Sequence, residues 1–140
     1  MLRESQLVVS KLNNNGMITS IDIGEEYDIH PKNKKDIGFR LAIEAMRIAY
    51  DDNSPKKFTS YVQEIYFKEN KAIVKFTNSK LNFIGSDIHY NVAVAGQDKK
   101  FHWAKVILKN GVLTAYTNAV KNPIAIRYAW SDNPGIPLIY

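Results

Sequence analysis

The sequence predicts an α+β protein in two parts, a strand–loop–helix unit over residues 1–55 and a β-sandwich-like lobe over residues 56–140. Three observations carry this. Ile37, Leu41, Ala45 and Ile48 recur at helical spacing, with Ala42, Met46 and Ala49 widening the stripe. Met17–Ile23 is short, β-branched and rich in isoleucine, as a buried strand is. Beyond residue 57 the pattern changes to short strands divided by turn residues, the spacing of a sandwich.

The elements follow in order. Leu2 to Leu12 reads as a helix that the cluster Asn13-Asn14-Asn15-Gly16 stops. Met17–Ile23 is the expected strand, and Gly24-Glu25-Glu26-Tyr27-Asp28 is an acidic loop leading to Ile29-His30-Pro31. Asn33 is placed to cap the next helix, with Asp36 three residues on, and Asp51-Asp52-Asn53-Ser54-Pro55 ends it.

In the second part, Tyr61–Lys68 and Lys71–Phe76 are strands separated by Glu69-Asn70. Asn91–Ala95 is another, closed by Gly96. Phe101–Leu108 and Val112–Tyr116 flank Lys109-Asn110-Gly111, and Asn-Gly is the strongest short hairpin signal. Asn122-Pro123 introduces a last strand, Ile124–Trp130, before the turn residues Asp132-Asn133-Pro134-Gly135.

Composition narrows the function classes. Of 140 residues, 45% are apolar and 24% charged, which excludes wholesale disorder. No apolar run approaches the roughly 20 residues of a membrane span, so no membrane partner is expected. The absence of cysteine excludes disulfide scaffolds, thiolate metal sites and a cysteine nucleophile. Met1-Leu2-Arg3-Glu4-Ser5-Gln6 shows no basic-then-apolar signal pattern. The net charge of +5 comes as scattered doublets, Lys34-Lys35, Lys56-Lys57 and Lys99-Lys100, and no nucleic-acid motif accompanies them. They read as a solvated surface, and no nucleic-acid partner is expected.

Three histidines are the only side chains whose ordinary pKa suits proton transfer near neutral pH. His30 sits where the loop after a strand enters a helix, the place where α/β enzymes put catalytic groups. Asp28, two residues earlier, is placed to accept a hydrogen bond from one imidazole nitrogen and leave the other free as a base. Losing such an orienting Asp costs about 10⁴-fold in the Ser-His-Asp template. The competing reading is a loop histidine next to the cap. Asp22, Glu25, Glu26, Asp28 and His30 are crowded, but no second histidine falls at ligand spacing, so neither a metal nor another cofactor is expected.

Ser86-Asp87-Ile88-His89 repeats the Asp-Ile-His triplet and reads as a loop, because neighbours in sequence are not thereby a catalytic pair. His102 alternates along a strand and reads as structural or surface. Trp103, Tyr116, Tyr128 and Trp130 are able to stack on a sugar ring, with core packing the commoner role.

Residues 22–36, Asp-Ile-Gly-Glu-Glu-Tyr-Asp-Ile-His-Pro-Lys-Asn-Lys-Lys-Asp, closely resemble the late catalytic block of the sialate O-acetylesterase family, continued by Ile37-Gly38-Phe39-Arg40-Leu41-Ala42. Residues 93–104 and 121–134 resemble further blocks of the same family, in the same order, and Leu2-Arg3-Glu4-Ser5-Gln6 resembles the helix before the histidine block. These are carbohydrate acetylesterases with an SGNH-hydrolase-like catalytic domain. The resemblance implies hydrolysis of O-acetyl esters on sialic acid, or on a related acetylated sugar, by a serine nucleophile. His30 would be general base and then acid, and Asp28 its partner. SGNH enzymes commonly place that Asp three residues before the His, where Tyr27 stands here, which makes Asp28 the nearest carboxylate.

The family's serine and oxyanion-hole groups lie in blocks well before the histidine. Ser5, Ser10 and Ser20 lack a Gly-Asp-Ser or Gly-x-Ser-x-Gly setting. The chain therefore reads as a C-terminal portion: the last strand–His loop–helix of the catalytic domain, then the β lobe. Its expected partner is the N-terminal catalytic segment. Alone it is expected to be inactive and to expose apolar surface. The resemblance implies a secreted, periplasmic or lysosomal setting. The alternative function is a non-catalytic carbohydrate-binding or interaction module built on the β lobe.

Overall fold

A computed structural model of the chain describes residues 2–51, 60–77, 79–83, 91–134 and 138–139. The Ser86–His89 run and the Ser54-Pro55 stop lie outside them. The chain divides into two units, Met1–Lys56 and Lys57–Tyr140.

The first unit holds two helices, α1 (Leu2–Val9) and α2 (Lys34–Tyr50). The α2 cap forms as its sequence implies: the Asn33 side chain accepts from the Asp36 backbone N–H at 3.2 Å and donates to the Asp36 carboxylate at 2.7 Å. At the far end Asp51 takes the left-handed conformation (φ 50°) and returns its N–H to the Met46 carbonyl.

Which face of α2 packs is not the face its apolar spacing predicts. Ile37 and Ile48 are half-buried, but Leu41, Ala45 and Met46 are exposed. The side that faces the protein carries Arg40, Glu44 and Arg47 between those isoleucines, and Glu44, 6% exposed, is the one fully buried residue among the described residues of this unit. Charge pairing, rather than an apolar core, fastens this helix.

The expected strand at Met17–Ile23 does not form. Residues 17–20 make no ladder and 21–23 are a turn, closed by the Ile23 N–H on the Ser20 carbonyl at 3.0 Å. A β-branched run becomes a strand only beside another strand, and here a helix takes its polar groups instead. Arg40 holds the Thr19 carbonyl, and Glu44 accepts the Met17 N–H. Gly16 makes the approach possible, since a Cβ there would lie 2.5 Å from the Glu44 Cγ and 2.6 Å from the Ile48 Cδ1.

Among its described residues the second unit's regular elements are all β. β1 (Val62–Lys68), β2 (Lys71–Phe76), β6 (Lys105–Lys109) and β7 (Val112–Tyr116) form an antiparallel sheet in the order β1-β2-β7-β6. β4 (Val92–Ala95), β5 (Phe101–Trp103) and β8 (Ala125–Tyr128) form a second, in the order β5-β4-β8, and β3 (Asn82–Phe83) pairs with β9 (Leu138–Ile139). Asn110 and Gly111 both have positive φ (52° and 73°), the two-residue primed turn that Asn-Gly predicts between β6 and β7.

One core lies within this unit. Ala72 and Val74 of β2, Leu113 and Ala115 of β7, and Val106 of β6 meet Val92 and Val94 of β4, with Val120 closing the cluster. Each fully buried valine or leucine among them contributes about 1.5–3 kcal/mol.

The run Phe101–Leu108 is two strands, not the single one its sequence suggests. Ala104, 2% exposed, donates its N–H to the Val92 carbonyl at 2.9 Å, and there the chain passes from the second sheet to the first. The last strand is also shorter than expected. It stops at Tyr128 because Ala129 turns to φ 49° and bonds the Asn91 carbonyl at 2.8 Å.

Candidate active site

His30 stands in a loop that two carboxylates shape through the backbone. Glu25 and Asp28 form an isolated antiparallel bridge, folding Glu25-Glu26-Tyr27-Asp28 back on itself. Asp28 then accepts the His30 backbone N–H at 2.8 Å, an Asx-type turn that aims the histidine away from the loop. Glu25 accepts the Lys32 N–H at 2.8 Å on the other side of Pro31, and the Lys32 ammonium adds an ion pair at 3.7 Å. His30 is thus bracketed by two anchored peptide groups just before the Asn33 cap.

The imidazole itself is open. Its side chain is 81% exposed, and its Nδ1 lies 3.7 Å from the Asp28 Oδ1. That is an ion-pair distance rather than a hydrogen bond, which needs about 2.7–3.2 Å. Asp28 and His30 therefore come together, but the shorter contact of Asp28 is to the backbone. Tyr27 and Ile29 beside them are 93% and 91% exposed, an apolar rim with nothing packed on it among the described residues.

The loop is tied to α2 through Asp22. Both of its oxygens accept from the Arg40 guanidinium, and that pairing holds the Asp22 carboxyl below its ordinary 3.8 against the opposing effect of burial. Glu44 is held below its ordinary 4.5 in the same way, by bonds of 2.7 and 3.0 Å from Arg47. Both carboxylates are structural ions.

Sequence reasoning missed Glu25 as a clamp. It stood among several carboxylates, and nothing local marked the one that reaches seven residues forward. It also missed Arg127, whose guanidinium lies 3.8 Å over the Phe101 ring and 4.6 Å from the Trp130 ring. The signal was present in the aromatic cluster around that arginine. Trp103, for which core packing was the commoner expectation, is 65% exposed.

Other chemistry is sparse. Ser10 donates its hydroxyl to the Leu7 carbonyl at 2.9 Å, and among the described residues no serine hydroxyl reaches the His30 ring. Among the described residues no three His, Asp or Glu side chains are grouped to hold a metal ion, and no helix is long and apolar enough to cross a membrane. A shallow depression in the second unit is lined by Gly96, Gln97, Asp98, Val120, Lys121 and Asn122.

The fold and sequence together are similar to the crystal structure of a carbohydrate acetylesterase from Xanthomonas citri, at 35% identity and a TM-score of 0.90. The match covers 99% of this chain and 32% of that one, so the chain spans about a third of that protein's length. No protein-family model and no curated protein matches the chain.

Proposed function

We propose that this chain is part of a carbohydrate acetylesterase and supplies the acid–base histidine of its active site. The observation that carries this is the bracketed His30 loop, in a chain that is 35% identical to part of a carbohydrate acetylesterase over nearly its whole length. In this reading the site is of the SGNH type, and the nucleophilic serine and oxyanion donors come from polypeptide outside these 140 residues. The favoured substrate is an O-acetylated sialic acid.

His30 takes the proton of the serine hydroxyl as its oxygen adds to the acetyl carbonyl. It returns that proton to the departing sugar oxygen, leaving an acetyl-serine. Water, deprotonated by the same imidazole, then releases acetate and restores the serine. Asp28 holds the ring, its contact to Nδ1 shortening from 3.7 Å when the site closes, as catalytic hydrogen bonds do on substrate binding. Leu41 and Met46, 53% and 44% exposed, support the reading, since an apolar helix face of this kind packs in a larger domain.

The test has two arms. The 140-residue chain alone should release no acetate from an aryl acetate, because an isolated His–Asp pair lacks covalent catalysis and oxyanion stabilisation, the latter worth about 3–4 kcal/mol per donor. Turnover by the chain alone, lost in His30→Ala, would overturn the external nucleophile. In the complete polypeptide, His30→Ala should abolish acetate release from 9-O-acetylated sialic acid. Equal or faster turnover of an acetylated neutral sugar by the unmodified polypeptide would overturn the sialate preference.

A further inference from the structure

The second unit carries a feature that ester hydrolysis does not use. The register of β5-β4-β8 sets Trp103, Ala93 and Arg127 in one row across three strands, and Phe101, Ala95 and Ala125 in the next. Between these rows, Val94 and Ile126 point into the core, so the pleat turns both rows to the opposite, outer face.

On that face Arg127 is a pinned cation. Phe101 and Trp130 stack on its guanidinium, and among the described residues it has no hydrogen-bond or ion-pair partner. Stacking covers the two faces of a guanidinium and leaves its in-plane N–H fork open. The fork matches a carboxylate in a bidentate geometry. The Arg127 side chain reaches across β4, where Ala93 and Ala95 are buried, to the Phe101 ring on β5, and on that strand Trp103 presents an exposed indole. Phe101 and Trp103 stand two residues apart on one face of β5, about 7 Å, so the guanidinium held over Phe101 lies within a sugar ring's length of the indole.

We propose that this face binds a carboxylate-bearing sugar, the Arg127 fork taking the carboxylate and Trp103 stacking on the pyranose ring. The chain's net charge of +5 draws in the same class of ligand. Arg127, Phe101, Trp103 and Trp130 all belong to the second unit, so the proposal does not rest on the esterase reading.

The experiment is a titration of the purified chain with glucuronic acid, followed by the indole N–H resonances, with glucose as the neutral match. Glucuronic acid should shift the Trp103 indole signal and bind about tenfold more tightly than glucose, one bidentate charged contact being the difference. Trp103→Ala and Arg127→Lys should each weaken glucuronic acid binding several-fold, the lysine keeping the charge but losing the fork. Should Arg127→Lys fail to fold, Trp103→Ala decides, since its side chain supports no core. Equal affinity for glucose, equal displacement by a short polyglutamate peptide, or binding unchanged in Trp103→Ala would each overturn the proposal.

Discussion

Arg40 grips Asp22 with both terminal nitrogens while one of them also holds the Thr19 carbonyl at 2.7 Å. This contact replaces the β-ladder that the isoleucine-rich segment would otherwise need. Arg40→Lys keeps a charge but loses the two-nitrogen fork that grips both Asp22 oxygens while reaching the Thr19 carbonyl, and should destabilise the first unit by about 1–2 kcal/mol, between the values of exposed and buried pairs. Denaturant unfolding followed by far-UV signal from the helices measures it. No change would mean the pairing is not what fastens the segment.

Acid should undo the same contacts. Asp22 and Glu44 both have depressed carboxyl pKa values in the folded chain, so each stabilises the fold at pH values above its ordinary 3.8 or 4.5. The contribution is lost as the pH falls below those values and through the lower folded ones. A pH series of amide exchange at Met17, whose N–H is held by Glu44, should show protection constant above pH about 5 and declining below it.

Gly16→Ala should cost about 1–3 kcal/mol by overpacking. The new methyl meets the Glu44 Cγ, and Glu44 has little freedom because Arg47 and the Met17 N–H fix its carboxylate. The sign of success is loss of the Glu44–Met17 bond, read as faster exchange at Met17.

His30→Ala should leave thermal stability within about 0.5 kcal/mol of the parent, as for other exposed side chains. Asp28→Ala should instead release the His30 amide, costing about 0.5–1.5 kcal/mol locally. Asp28→Asn retains an acceptor and should keep that amide protected. A His30 amide equally protected in the parent, Asp28→Ala and Asp28→Asn would show that Asp28 does not set the turn.

Leu113→Ala, at a site 2% exposed between the sheets, should destabilise the second unit by about 2–5 kcal/mol. Near-UV unfolding of the tryptophans reports it.

Much of this was legible in residues whose signal is local. Asn33 and Asp36 announced the start of α2, and Asn110-Gly111 announced its hairpin, because capping and primed turns depend on a few adjacent groups. What failed was relational. Met17–Ile23 has strand composition, yet composition does not say whether a partner strand stands beside it. Leu41 and Ala45 have helical spacing, but Arg40, Glu44 and Arg47 claimed the packed side through ion pairs that a hydrophobic period does not register. The site divides along the same line. His30 and Asp28 were visible two residues apart, whereas Glu25 acts across seven residues and Arg127 is pinned by rings from β5 and from beyond β8.

The crossing at Ala104 ties the two larger sheets into one mechanical piece. A single residue separates β5 from β6, so neither sheet can peel away without dragging a strand of the other. Opening of β4 and opening of β7 should therefore be the same event, and their slowest amides should exchange with one shared free energy rather than two. A small residue suits this splice, because the crossing residue is 2% exposed and its N–H is held by the Val92 carbonyl.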